Sequence, residues 1–284
     1  MKRGAVFALT AVAAAFLASV AFAAANRAGG ATSGGPLVPS VTVNNVGLGL
    51  ATLTLKTSEL AVLPQQTLSV PLGGVATTET GPLLSSLLTL AGVQYNATCK
   101  NDELRYWVEV TNADGSSATV ITSGELDPLF GNRPAILAIS ENGKFLTTSG
   151  PQLIVPNDSG ARDISHVAKI TIGRAAVELG SSPGCGSTGI IANPPAGTVI
   201  INGDVASPQT LTVGQLSAMT QVIQTDSFLQ GTTPNTNTVT GPTLYSLLQL
   251  AQPKFLACDK ADKMRFYIEV TSSEDGISAI VAWP

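Results

Sequence analysis

Apolar positions along this chain follow two periods. At Leu83, Leu84, Leu87, Leu88 and Leu90 they mark one face of a helix. Pro82 is placed in that helix's first turn, where a missing N–H costs nothing. Residues 105–111 alternate as a strand, Asp114-Gly115 makes a turn, and Ala118 to Thr122 returns as the next strand. Thr67 to Leu72 reads as a Thr-rich strand. Pro134 to Ser140 is helix or strand, since periodicity does not separate the two. Asn142-Gly143 is a second turn, Leu153 to Pro156 a buried strand, and Val167 to Ile172 a closing strand. Further on, Thr212 and Gln215 have the spacing of a capping box.

The pattern then recurs about 160 residues later. Thr80 to Ala91 matches Thr240 to Ala251, beginning Thr-Gly-Pro in both. Arg105 to Thr111 matches Arg265 to Thr271, and Asp114-Gly115 matches Asp275-Gly276. Cys99 falls opposite Cys258. A period this long indicates duplicated domains. The reading is a first domain over 41–178, a Gly/Ser/Pro linker over 179–198, and a second copy over 199–284. Everything that would match Gly124 to Ile172 is absent from the second copy. Its strand at 265–271 and its Leu-rich helix are therefore expected to leave apolar surface in water. On that reading the sequence is a fragment of a longer protein and residues 199–284 do not fold cooperatively alone. The alternative is that copy two packs on copy one.

Met1-Lys2-Arg3, the apolar run Ala5 to Phe22, and Ala21-Phe22-Ala23 form a basic start, a hydrophobic stretch and a small-x-small cleavage site. Residues 1–23 read as a signal peptide and 24–40 as a flexible tether. The expected destination is periplasmic or extracellular, with no membrane span after cleavage. Charged residues make up only 12% of the chain and the net charge is −4. No basic stripe is present, which argues against nucleic acid as a partner. An oxidising destination permits disulfides.

Several segments resemble the molybdopterin-binding domain of the sulfite oxidase family. They are Gly81 to Leu84, Asp114-Gly115, Glu125-Leu126-Asp127-Pro128, Asn142 to Leu146, Gly150 to Pro156 and Gly160-Ala161-Arg162. Their order and spacing carry the resemblance across almost all of copy one. It implies an α+β fold: two tandem sulfite-oxidase-type mixed α/β domains, the second truncated. It also implies a strand around Glu125 to Pro128, and a cofactor-binding role for Arg162 toward an anion. A structural salt bridge is the competing reading of Arg162.

An active member of that family holds molybdenum through a Cys thiolate placed after the Thr-rich strand. Here that place reads Leu72-Gly73-Gly74-Val75 in copy one and Phe228-Leu229-Gln230 in copy two. The family's Lys-Trp pair is replaced by Ser165-His166, and its Tyr after Asp-Gly by Ser116 and Ile277. No catalytic or metal residue is assigned and no cofactor is expected. His166, the only His, reads as a polar residue at a strand end. Gly131-Asn132-Arg133 reads as a turn, and Glu109 and Glu269 as a solvated strand face. The function read is a cofactor-less extracytoplasmic binding or structural module, its partner a small ligand or an extracytoplasmic protein. The alternative is a molybdopterin-dependent oxidoreductase with non-standard ligation. A disulfide Cys99–Cys185 is expected, giving the full copy one Cys after its helix and one after its last strand. Pairing of Cys99 with Cys258 would instead staple the copies together.

Overall fold

The computed structural model describes residues 18–24, 40–72, 75–97, 99, 101–158, 160–175, 195–230, 233–257, 259, 262–272 and 278–283. Most of the expected tether and linker lies outside these residues. In chain order the first elements are β1 (Ala18–Ala24), β2 (Ser40–Val46), β3 (Leu53–Lys56), α1 (Thr57–Leu60), β4 (Gln65–Leu72) and β5 (Val75–Pro82). They are followed by α2 (Leu84–Leu90), β6 (Tyr106–Asn112), β7 (Ala118–Thr122), α3 (Ser123–Leu126), β8 (Ile136–Ala138), β9 (Ser140–Glu141) and β10 (Lys144–Phe145). Next come β11 (Gln152–Ile154), β12 (Val167–Arg174), β13 (Thr198–Gly203), β14 (Gln209–Thr212) and α4 (Val213–Ala218). The chain continues through β15 (Val222–Gln230), β16 (Thr233–Gly241), α5 (Leu244–Ala251), β17 (Phe266–Ser272) and β18 (Ser278–Ala282).

The expected α+β pair of mixed α/β domains is not what forms. The described residues are mostly β, with strands spread over several small sheets, and the longest helix among them has 8 residues. The cause is local. Thr, Val and Ile fill the long stretches, and branched side chains favour the pleated backbone. The helices are short capped turns. Thr122 and Glu125 bond each other's N–H at 3.2 and 3.0 Å, so the segment Glu125 to Pro128 begins in a helical turn and not a strand. Thr212 and Gln215 form the expected capping box. Pro82 ends β5 instead of entering α2, whose N-cap is Leu83. The ambiguous segment at 134–140 contains the strand β8.

Two five-stranded sheets dominate, ordered β3-β2-β12-β6-β7 and β14-β13-β1-β17-β18. In the first, β12 runs parallel to β2 and antiparallel to β6. In the second, β1 runs parallel to β13 and antiparallel to β17. The first sheet buries Val41, Val43, Val108, Val110, Ile170 and Ile172 against Leu84, Leu87 and Leu88 of α2. The second buries Val199, Ile201, Phe266 and Ile268 with Leu248 of α5. The surface that copy two leaves in water is therefore not its strand at 266–271. It is the β15–β16 hairpin, with Ile223 at 70% and Val239 at 59% exposure, and Tyr245 of α5 at 54%. The matching β4–β5 hairpin of the first half is covered by β9 and by the β8–β11 pair.

Gly81 and Gly173 are required by close approach. A Cβ on Gly81 would run into the Leu137 carbonyl, and one on Gly173 into the Trp107 indole. The Asn142-Gly143 turn places both residues at positive φ, 49° and 75°.

Candidate functional site

The two large sheets meet through β6–β7 on one side and β17–β18 on the other. Trp107, Val120, Ala175, Tyr267 and Ile280 form one buried cluster across the junction. Beside it lies a cleft of about 270 Å³, whose lining includes Trp107, Glu109, Lys169, Thr171 and Arg265. Arg265 reaches over from the second half and donates to the carbonyls of Gly115 and Ser116 at 3.2 and 3.1 Å. Glu109 and Glu269 were expected on a solvated face, yet they are 7% and 4% exposed. The strands carrying them are covered by the opposite sheet, which the sequence pattern of one strand cannot reveal. Burial raises the Glu109 carboxyl above its ordinary range, and Lys169 and Arg265 pull it partly back. Burial likewise raises Glu269, with the Thr271 hydroxyl and Arg105 opposing. Thr171 Oγ1 is buried without a hydrogen-bond partner among the described residues.

A second cleft, of about 490 Å³, contains Arg162. Its walls include Glu125, Arg133, Asp158 and, from the second half, Val281 and Trp283. Arg162 is 5% exposed. Its Nε donates to Asp158 at 2.6 Å and its Nη1 to Glu125 at 2.9 Å. Burial alone would lower the guanidinium's pKa, and the two carboxylates outweigh it. Arg133 approaches the same carboxylates, at 3.4 and 3.6 Å. Two cations thus face two anions. Glu125 is the shared piece: one side chain closes the capping box of α3 and holds Arg162.

The Gly131-Asn132-Arg133 segment is a turn, closed by the Gly131 N–H on the Gly124 carbonyl at 2.8 Å. His166 sits at φ 58°, its Nε2 3.2 Å from the Thr148 carbonyl oxygen, just before β12. Cys99 is 7% exposed and disulfide-bonded. Cys185 and Cys258 both lie outside the described residues, so the Cys99–Cys185 pairing does too. No group of three or more His, Cys, Asp or Glu able to hold a metal occurs among the described residues. No helix there is long and apolar enough to cross a membrane.

Glu79 is a group the sequence reading missed. It sits on β5, is fully buried, and neither carboxylate oxygen has a hydrogen-bond partner among the described residues. Burial pushes its pKa up to about 7, and Glu141 and Asp163 add to the rise. A lone acid in a Thr-rich strand was the available signal, but it does not tell which strand face is covered.

The segment where the resemblance would place a metal-ligating thiol, at 72–75, contains no Cys. β4 and β5 stay paired as far as Leu72 and Val75.

No family model matches the chain, and no curated protein matches it. Among solved structures, the chain is similar to the sulfane dehydrogenase SoxCD from Paracoccus pantotrophus at 15% identity and a TM-score of 0.37. The similarity covers 85% of this chain and 77% of that one. A likeness this distant decides neither the fold nor the chemistry.

Proposed function

We propose that the protein is an exported binding module that works without a bound metal, a distant and cofactor-less relative of the molybdopterin oxidoreductases. The observation that carries this reading is the lack of any Cys where β4 pairs with β5 through Leu72 and Val75, the place a metal-ligating Cys would occupy. The cleft at the sheet junction supplies a binding surface of another kind. It sets the buried Glu109 near Lys169 and Arg265, against the Trp107 ring. A carboxylate and two cations beside an aromatic wall suit a small polar ligand that carries both charges. A thermal-shift screen of small zwitterions on the purified protein tests this. A ligand of this class raises the melting temperature of the native protein and has no effect on Glu109→Gln. A screen in which no zwitterion shifts the native protein, or in which both proteins respond alike, contradicts it.

A further inference from the structure

The second large sheet carries a slot for one strand between β13 and β17. In the first sheet the corresponding place belongs to β12, a strand from later in the same half of the chain. In the second it belongs to β1, from the far N-terminal end. The registers coincide. Ile170, Ile172 and Gly173 of β12 lie opposite Val110, Val108 and Trp107. Val20, Phe22 and Ala23 of β1 lie opposite Val270, Ile268 and Tyr267. Val110 and Val270, Val108 and Ile268, and Trp107 and Tyr267 are partners in the sequence match between the halves. On its other edge β1 pairs with β13 from Ser19↔Ile200 to Phe22↔Gly203, as β12 pairs with β2.

The slot therefore has a readable preference. Ile170 and Ile172 are buried against the first core at 0% and 1% exposure, and apolar residues hold the same register positions in β1. Gly173 is needed because the Trp107 ring leaves no room for a Cβ, and the small Ala23 stands opposite Tyr267. The pattern shared by β12 and β1 is two apolar residues spaced by one, followed by a small residue, in an extended segment. Phe266 and Ile268, 1% and 0% exposed, lie on the strand that borders the slot. An empty slot would leave two lines of unpaired backbone N–H and C=O groups, which is the template for strand addition.

We infer that the second sheet is a strand acceptor. Ala18–Ala24 is its donor in the uncleaved chain, and the cleavage expected after Ala23 removes that strand and opens the slot to an extended peptide of the same pattern from another polypeptide. The inference rests on the pairing and does not depend on the ligand read for the junction cleft.

Hydrogen exchange tests it on three samples: the full chain, a chain beginning at residue 25, and that shorter chain with a synthetic Ala18–Ala24 peptide carrying a lysine tail. The expected result is that amides of 266–272 exchange at least about tenfold faster in the shorter chain than in the full one. They regain protection with the peptide, and a peptide with Ala21→Pro fails to restore it, since proline cannot donate to the ladder. Amides of 167–174 are the internal reference. Equal protection of 266–272 in the full and shorter chains overturns the inference, as does a shorter chain that ignores the peptide. If the shorter chain loses protection throughout, a cross-link in the full chain decides. Ala18 and Ser272 are register partners, and facing residues of an antiparallel pair lie within disulfide reach. Ala18→Cys with Ser272→Cys forms the bond if β1 fills the slot, and failure to form it overturns the inference.

Discussion

Trp107 and Tyr267 stack with ring centroids 5.6 Å apart and planes 17° from parallel. They occupy matching positions in the two halves of the chain, so the halves meet through the same surface used twice. Val120 and Ile280 do the same beside them. The junction thus has the character of a two-fold interface built into one polypeptide. Truncating Trp107 to Ala is expected to destabilise the protein by about 3–5 kcal/mol. In a double-mutant cycle with Tyr267→Ala, the rings should couple by about 0.5–1.5 kcal/mol. Denaturant melts of the four proteins check this. Additive effects would mean that the rings do not meet in solution.

Arg162 is held by two carboxylates on different elements. Arg162→Ala leaves Glu125 and Asp158 partly buried with one of their cations gone. The expected loss is about 2–3 kcal/mol, below the range for a fully buried pair because both acids keep some contact with solvent. Arg162→Lys recovers only part of it, since an ammonium cannot reproduce the planar fork. Melting temperatures of the two variants test this. Unchanged stability in Arg162→Ala would free the side chain for the anion-binding role that the family resemblance implies.

Glu79 makes stability fall as pH rises. Its folded-state pKa, about 7, lies above the ordinary value of 4.5, so the folded chain holds the proton more tightly than the unfolded chain does. This contribution is complete below about 4.5 and is lost as pH climbs through about 7. Glu79→Gln carries no charge at any pH and removes the dependence. At a pH above that window the variant should melt at least about 2 °C higher than the native protein, with the gap closing toward pH 4.5. Parallel curves for the two proteins across the window would show that Glu79 reaches water.

The Cys99 bond should be recovered as a Cys99–Cys185 peptide pair after digestion under non-reducing conditions. Closing so long a loop is worth roughly 4 kcal/mol in the chain-entropy account, less any strain. Reduction should lower the melting temperature accordingly. A Cys99–Cys258 pair would mean instead that the bond joins the two halves.

How much of this was legible in the chain depended on whether the signal was local. The strands at 106–112, 118–122 and 167–174 follow from alternation, and the Thr212–Gln215 box and the Asn142-Gly143 turn from residue chemistry within a few positions. Pro82 was misplaced because a Gly-Pro pair before a Leu run suits either a helix start or a strand end, and only pairing with β4 decides. The α+β fold failed because a Leu-rich helix of one or two turns looks, in sequence, like the start of a longer one. Glu109, Glu269 and Glu79 were invisible for a different reason. Each is buried by a strand distant in sequence, and a single strand's pattern does not record what later covers it. Arg162 was legible as a charged residue in a turn with Asp158 four residues before it, but Glu125 comes from a segment whose approach only the fold supplies.

Elemental analysis tests most directly whether the protein ligates molybdenum. The full-length protein is produced and exported in a host able to make molybdopterin, purified without chelators, and assayed for molybdenum and for released pterin per chain. The absence of a thiol at 72–75, where β4 pairs with β5, predicts background levels of both. Molybdenum and pterin near one per chain would contradict the account and restore an oxidoreductase with another ligand in place of the missing Cys.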